Sequence, residues 1–168
     1  MERTGRVIVW TGACAAVMAL GIATTSARGD AKGTLAYKAK SGAGTVTIKH
    51  ANLFKGPDMV SGKVIRRLVL SSADVRGALK SCQSMSCSDG GIGEGLTIDF
   101  DAGPRLNYWF VANDQLVQHS GTADPATVKL TTDTPTRMAG TIDIDGRSQG
   151  GPVIKVEFDA TLIKEVKK

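Results

Sequence analysis

Aromatic side chains are scarce in this chain. It has two tryptophans, two tyrosines and four phenylalanines among 168 residues. A glycoside hydrolase needs two carboxylates at a sugar-binding groove, and no aromatic-rich groove of that kind is evident here. The D-x-D pairs Asp99/Asp101 and Asp143/Asp145 each lie on one face if they are in strands. They suit a Ca²⁺ site or acid–base chemistry, but their spacing fails the EF-hand pattern, and solvated strand faces explain them better.

Clusters of basic residues are also missing. The net charge is +5, but the only adjacent basic pairs are Arg66-Arg67 and Lys167-Lys168. Nucleic-acid binding needs a clustered basic face, so we expect no nucleic-acid partner. A weak preference for anionic envelope material, such as phospholipid or polysaccharide, stays open.

Charge is absent from the segment between Arg6 and Arg28. Residues 7–23 are mostly apolar, and the small residues that follow end at Ala27, a plausible cleavage site. A basic start, an apolar middle and a small-residue cleavage site form a signal peptide. The sequence therefore predicts a signal peptide over residues 1–27, and a mature protein that is periplasmic or secreted.

Two other interpretations of this segment have less support from the sequence. An uncleaved anchor is the main alternative, but the apolar run of residues 7–23 is at the short edge of what spans a bilayer. A lipoprotein would use Cys14, before which the apolar stretch is too short. After cleavage we expect no stable membrane insertion and a single β-rich domain over residues 28–168, with its core at about residues 33–163. Its formal charge is +4, because two arginines and one glutamate leave with the signal.

The mature segment predicts an all-β fold with one short helix. Glycine (20 residues) and threonine favour turns and strands over helices. Apolar and polar residues alternate with period two in several segments, most clearly in residues 153–163. Roughly nine closely spaced strands predict an antiparallel β-sandwich or barrel of about 8–9 strands.

The predicted helix opens at Ser71 and Ser72. Ser71 and Asp74 have the spacing of a capping box. One helical face would follow with i, i+3, i+4, i+7 spacing, made of Val75, Ala78, Leu79 and Cys82. Residues 83–95 are polar and glycine-rich, and we expect them to form a loop.

Three segments carry a resemblance to other proteins. They are TVTIKHANLFKGPDMVSGKVIRRLVLS, GLTIDFDAGPRLNYW and VEFDATL. With most of residues 33–163, they resemble a group of small exported bacterial β-rich proteins of unknown function. The resemblance implies a bacterial origin and a single β-rich domain, and it carries no catalytic residues to this chain.

Cys82 and Cys87 are the only cysteines left after cleavage. An even pair this close in an exported protein predicts a disulfide. The sharper alternative is a copper site, since thiolate and thioether ligands favour Cu(I). Its candidate ligands are Cys82, Met85 and Cys87, with His50 or His119. The sequence shows no paired histidine motif, and no cofactor is otherwise implied.

Motifs that would carry catalysis are absent from the sequence. No G-x-S-x-G turn places a nucleophile. The glycine-rich residues 90–95 follow a helix and precede a strand, which is the reverse of a phosphate-binding loop. We therefore expect a non-enzymatic binding or interaction module with a protein or envelope partner. The alternatives are a copper-handling protein and an envelope hydrolase.

Tyr108 and Trp109 are where we expect the contact surface of such a module. As neighbours on one strand, they point to opposite faces of the sheet. One should be in the core, and the other should be exposed.

Overall fold

The computed structural model describes residues 29–167. The predicted signal peptide and its cleavage site lie outside the described residues. Within them, the predicted all-β class is confirmed, since nine strands form one sheet. The strands are β1 (Asp30–Ala39), β2 (Gly42–Pro57), β3 (Val64–Ser71), β4 (Gly95–Phe100), β5 (Leu106–Ala112), β6 (Val117–Ala123), β7 (Val128–Asp133), β8 (Arg137–Asp145) and β9 (Val153–Glu165). Two short helices, α1 (Arg76–Ser81) and α2 (Cys87–Gly90), lie between β3 and β4.

The sheet is antiparallel apart from one pairing. The strand order is β6-β5-β4-β3-β2-β1-β9-β8-β7. Strand β1 lies between β2 and β9 and begins at Asp30, which pairs with His50 and Asp159. Beyond that point β2 and β9 pair directly and in parallel, with Asn52 opposite Thr161. The long strands β2 and β9 therefore form the centre of the sheet. They flank β1 along its length and pair with each other where β1 is absent.

The sheet curls into a half-barrel. One large inner cluster of buried side chains takes members from all nine strands, including Ala123 of β6 and Val128 of β7 at opposite ends of the sheet order. The rings of Tyr37 in β1 and Phe110 in β5 lie 5.4 Å apart, although three strands separate β1 from β5. In place of a two-sheet sandwich or a closed barrel, the structure has a single sheet that curls around its own apolar face.

The alternation of residues along the strands explains this inner face. In β9, the residues that alternate into the inner cluster are the ones predicted from the sequence: Ile154, Val156, Phe158, Ala160 and, partly buried, Leu162. In β5 the inner set is Leu106, Tyr108, Phe110 and Ala112. Each buried side chain of this size contributes about 1.5–3 kcal/mol through removal of apolar area from water. The period-two pattern is therefore what selects the face that curls inward.

A second buried cluster lies on the outer face of the sheet. This outer cluster joins Phe54, Ile65 and Val69 of the sheet to residues from the helical segment and the C-terminus. From residues 75–92 it takes Val75, Leu79, Cys82, Met85 and Ile92. The helical segment thus covers the outer face over β2 and β3 and leaves part of the outer face of β4–β6 uncovered.

The predicted helix start is wrong. Ser71 belongs to β3, where it pairs with Gly95, and its Oγ donates to the carbonyl of Ala73 instead of capping a helix. Helix α1 begins at Arg76 and has no side-chain cap, while the Asp74 carboxylate accepts from the Arg76 backbone N–H. The pairing of β3 with β4 uses the residue that the capping pattern assigned to the helix. Helix α2 also lies within residues 83–95, which were predicted to be loop.

Neither helix of residues 29–167 has the length and apolar character needed to cross a bilayer.

Candidate functional site

The uncovered part of the outer face is polar apart from Trp109. Direct strand pairing arranges its outward side chains in two rows across β4, β5 and β6. The first row is Thr97–Trp109–Ser120, and the second row is Asp99–Asn107–Thr122. Hydroxyl, amide and carboxylate groups therefore surround one large aromatic side chain on a sheet surface.

These rows form the floor of an open groove, which we call the Trp109 groove. Its volume is about 420 Å³, within the roughly 300–1,000 Å³ range of small-ligand sites. Trp109 is half-buried and packs against the outer cluster on one side. The lining residues are Arg67, Asp89, Thr97, Asp99, Asn107, Tyr108, Trp109, Ser120, Gly121 and Thr122. The groove is thus a shallow polar site with one fixed aromatic side chain.

Arg67 organises one wall of the groove. Its Nε and one terminal nitrogen donate to the two carboxylate oxygens of Asp99, at 2.6 and 2.8 Å. The other terminal nitrogen donates to the Met85 carbonyl at 3.0 Å, to Ser88 Oγ at 3.1 Å and to Asp89 Oδ1 at 2.8 Å. A bidentate guanidinium–carboxylate pair is strong and directional. Arg67 therefore ties β3, β4 and α2 together and fixes the positions of both carboxylates.

Burial and the neighbouring charges determine the pKa shifts of Asp89 and Arg67 in this wall. Burial raises the pKa of Asp89, and the charge of Asp99 raises it further, while Arg67 acts in the opposite direction. For Arg67, burial disfavours the charged form, but the hydrogen bonds and charges of Asp99 and Asp89 outweigh it, so the pKa of the guanidinium is raised. With Arg67, Asp89 and Asp99 all ionised, the lining residues carry one net negative charge.

Several polar groups in the groove are uncommitted. Within residues 29–167, the side chains of Trp109, Asn107 and Ser120 form no hydrogen bond to protein. An ionised carboxylate has about four acceptor positions, and Asp99 uses two of them for Arg67 while Asp89 uses one. The indole N–H, the amide, the hydroxyl and the remaining carboxylate lone pairs are therefore available to a ligand.

The two aromatic residues chosen from the sequence have different environments. Tyr108 is 3% exposed in the inner cluster, and its ring lies 6.1 Å from the ring of His119. Burial raises the pKa of its phenol. Trp109 faces outward into the groove. The structure thus places one residue in the core and the other on the accessible face, as the alternation predicted.

Cys82 and Cys87 have their Sγ atoms 2.12 Å apart, at disulfide-bonding distance. The bond joins the end of α1 to the start of α2. Between them, Met85 is 3% exposed in the outer cluster, where it packs near Gly56. The disulfide uses both thiols, and Met85 serves as a core side chain.

The structure does not bring the remaining candidate metal ligands together. His50 lies on β2 and His119 on β6, with three strands between them in the sheet. The ring of His119 is tilted against that of Tyr108, and neither histidine lines the Trp109 groove. Among the described residues, no group of three His, Cys, Asp or Glu side chains is arranged to hold a metal ion.

The D-x-D pairs form ion pairs with basic residues. Asp99 is on β4, but the strand ends at Phe100, and Asp101 has a φ of 69°. Asp101 therefore does not share the face of Asp99, and it contacts Arg66 while Asp99 contacts Arg67. The prediction that this pair lies on one face is wrong, because the turn after β4 reverses the direction of the second side chain.

The second pair, on β8, is exposed to solvent. Asp143 lies 3.6 Å from Lys155, and Asp145 lies 2.5 Å from Arg147. The hydrogen bonds from Arg147 lower the pKa of Asp145 to about 2. Neither carboxylate of this pair lines the Trp109 groove.

Sequence reasoning missed most of the groove. Arg67 carried a signal, since a charge in the middle of the apolar segment Val64–Ser71 has to find a partner when the strand is half-buried. Asn107, Ser120 and Thr122 carried no such signal, because exposed polar residues alternate in the same way on every solvated strand. Asp89 belongs to a segment predicted as loop, and only the tertiary fold brings it to the groove.

No protein family model, curated protein or solved structure matches this chain.

Proposed function

We propose that this protein is an exported, non-enzymatic binding module that holds its ligand in the Trp109 groove. One observation carries the proposal: a half-buried tryptophan lies beside the side chains of Asn107 and Ser120, which form no hydrogen bond to the described protein. Binding sites commonly combine an aromatic surface with a few placed polar groups that fix orientation. The groove offers both on the rigid surface of a sheet.

The groove chemistry supports binding over catalysis. Apart from Tyr108, whose side chain is buried in the inner cluster, its titratable residues are Arg67, Asp89 and Asp99, and these three are joined in one network of hydrogen bonds. A nucleophile is activated by an adjacent general base. Ser120 is the exposed hydroxyl beside Trp109, but its neighbour His119 points to the inner face, where its ring lies near that of Tyr108. Ligand binding needs no activated nucleophile, so it is compatible with the arrangement of these side chains.

Export is supported by two features of the sequence. The N-terminal residues 1–27 have the three parts of a signal peptide. The close cysteine pair, at disulfide distance, suits an oxidising compartment such as the bacterial periplasm. Mass spectrometry of the protein isolated from the periplasm tests both points. We expect a chain that begins at Arg28 and is two hydrogens lighter than the reduced form. A full-length or reduced chain would contradict this part of the proposal.

Trp109 itself reports on the groove. The full chain has one other tryptophan, Trp10, which leaves with the predicted signal peptide, so Trp109 is the single indole fluorophore of the mature protein. We expect periplasmic extract fractions that contain the ligand to shift its emission in a saturable way. Capture by immobilised protein should then be lost in Trp109→Ala and kept in Leu116→Ala.

Leu116 is the matched control for that experiment. It is 81% exposed in the turn between β5 and β6, close in sequence to Trp109, but it does not line the groove. Circular dichroism should show that both variants are folded. If capture is equal in Trp109→Ala and wild type, or equally lost in both variants, the ligand is not held in this groove.

A further inference from the structure

The charges of the Trp109 groove indicate which ligands it rejects. Arg67 is the only cation among its lining residues, and its donors already serve Asp99, Asp89, Ser88 and the Met85 carbonyl. The two carboxylates leave one net negative charge. Arg105 is not a lining residue, although its Nε donates to the hydroxyl of Thr122 at 3.1 Å. An anionic ligand would meet repulsion from the two carboxylates, and the lining residues offer it no free positive charge. Phosphate esters and acidic polysaccharides therefore do not fit the groove.

The hydrogen-bonding groups indicate which ligands it accepts. Asp89 and Asp99 have acceptor positions in excess, and the amide of Asn107 and the hydroxyl of Ser120 can both donate and accept. A ligand that presents many hydroxyl groups satisfies both kinds of partner. Hydrogen bonds to an ionised carboxylate are stronger than neutral ones, so hydroxyl donors directed at Asp89 and Asp99 would supply most of the orientation.

Trp109 adds an apolar surface of fixed orientation. One side of the side chain packs on the outer cluster, so little conformational freedom is lost when a ligand stacks on the other side. A sugar ring has a flat face of C–H groups and a rim of hydroxyl groups. That combination matches an aromatic face bordered by polar groups on the same sheet surface. A polar peptide lacks the flat apolar face, and peptides commonly bind at a sheet edge or in apolar side-chain pockets.

From these features we infer that the ligand of the groove is an uncharged glycan, bound with a sugar ring on Trp109 and hydroxyl groups on Asp89 and Asp99. The inference rests on the proposed function and names the ligand class of the same site. One tryptophan is enough for this role, because a binding site needs one stacking surface, whereas the groove of a processive hydrolase holds a chain along its length. The scarcity of aromatic residues in the sequence therefore does not oppose it.

The test is isothermal titration calorimetry of the protein as it is purified from the periplasm. The uncharged probes are cellotetraose and triacetylchitotriose, the anionic probe is an oligogalacturonate, and the cationic probe is spermidine. We expect saturable binding of at least one uncharged probe and none of the anionic probe. Tighter binding of the anionic probe or of spermidine than of either uncharged probe would overturn the inference.

Variants connect the binding to the groove. Trp109→Ala should weaken binding of the uncharged probe at least tenfold. Asn107→Leu removes one neutral hydrogen-bonding group and should weaken it roughly two- to tenfold, as expected for about 0.5–1.5 kcal/mol. Leu116→Ala should bind as wild type does. Equal binding by wild type and Trp109→Ala would place the glycan elsewhere and overturn the inference.

The two proposals fail in different ways. If no sugar binds but a periplasmic ligand still shifts the emission of Trp109, the glycan class is wrong and the groove remains the binding site. If a sugar binds in a manner independent of Trp109 and no ligand shifts its emission, the proposed function of the groove is itself wrong.

Discussion

Replacing Arg67 by methionine should destabilise this protein more than any other single loss of charge on its outer face. The Arg67 side chain is 12% exposed, and its partner Asp99 is 14% exposed. Methionine keeps much of the volume but leaves the carboxylate of Asp99 buried and unpaired. Breaking a buried ion pair by removal of one partner costs about 3–5 kcal/mol. We expect about 3 kcal/mol, because Asp89 is 34% exposed and can be solvated when Arg67 is lost.

Arg137→Met is the matched control. Arg137 also makes a bidentate pair, with Asp159 at 2.9 and 2.6 Å, but the two side chains are 53% and 44% exposed. Exposed pairs contribute little, because solvent and salt screen the two charges. Urea unfolding followed by circular dichroism gives both values. A loss below about 1 kcal/mol for Arg67→Met, or equal losses in the two variants, would refute the reasoning that burial makes the Arg67 network different.

A double variant measures the interaction between Arg67 and Asp99 separately from the effect of losing either side chain. Arg67→Met combined with Asp99→Leu removes both charges, so no unpaired carboxylate is left in the outer face. Replacing a whole buried pair by apolar side chains is often neutral or stabilising. The double variant should therefore be more stable than Arg67→Met alone. If its loss of unfolding free energy equals the sum of the losses in Arg67→Met and Asp99→Leu, the two side chains do not interact in the way that the 2.6 and 2.8 Å contacts indicate.

The same network predicts a dependence on pH. The pKa of Asp89 is raised in the folded protein, first by burial. A carboxyl with a raised folded-state pKa contributes stability that is present below its unfolded pKa of about 3.9 and is lost as pH rises through the folded value. Relative to Asp89→Asn, the wild type should therefore lose unfolding free energy as the pH is raised above the unfolded pKa of Asp89. A gain over this range would mean that the charge of Arg67 outweighs burial at Asp89.

Four further changes test the packing of the sheet and the helical segment. Reducing the disulfide, or replacing Cys82 and Cys87 together by serine, should lower the unfolding free energy by roughly 2 kcal/mol, and a reductant should then have no effect on the double variant. Asn52 is fully buried, and neither polar atom of its amide has a hydrogen-bond partner in the described part of the chain. Asn52→Leu should therefore leave the unfolding free energy measured in urea unchanged or raise it by up to about 2 kcal/mol. A loss above about 1 kcal/mol would show that the amide is paired. Gly95→Ala should cost more than about 2 kcal/mol in the same assay, because Gly95 has a φ of 152° and a Cβ would lie 2.1 Å from a backbone oxygen of β3. Gly77→Ala in α1 meets open space and should raise stability by about 0.5 kcal/mol, and equal effects of the two alanines would contradict the geometry.

Much of the fold could be predicted because it depends on local patterns. Period-two alternation identified the inner face of β9, and turn residues separated nine strands. The choice between sandwich and barrel was left open, since closure depends on contacts such as Tyr37 with Phe110, which are distant in sequence. The capping pattern at Ser71 failed because strand pairing with Gly95 competes for the same residue and involves a longer stretch of hydrogen bonds.

The groove was only partly predictable for a related reason. Alternation places Trp109 and Tyr108 on opposite faces of the sheet. Tyr108 shares its face with the apolar residues Leu106 and Phe110, so it is assigned to the core. That argument leaves Trp109 on the outer face, but it does not say whether the helical segment covers that face. Coverage depends on where the segment that contains α1 and α2 packs, and this is determined by tertiary contacts rather than by the pattern of β5.

Arg67 explains why that coverage stops where it does. It lies at the border between the outer cluster and the polar rows, and its guanidinium reaches Met85 and Asp89 on one side and Asp99 on the other. A charge at this position keeps the helical segment from advancing over β4, because further cover would bury the amide of Asn107 without a partner at a cost of a few kcal/mol. The same residue holds the segment against β3 through the Met85 carbonyl. The wall of the groove is thus also the attachment of the helices to the sheet, so a change that loosens the disulfide-bonded segment should weaken ligand binding at Trp109 even when the strands keep their structure.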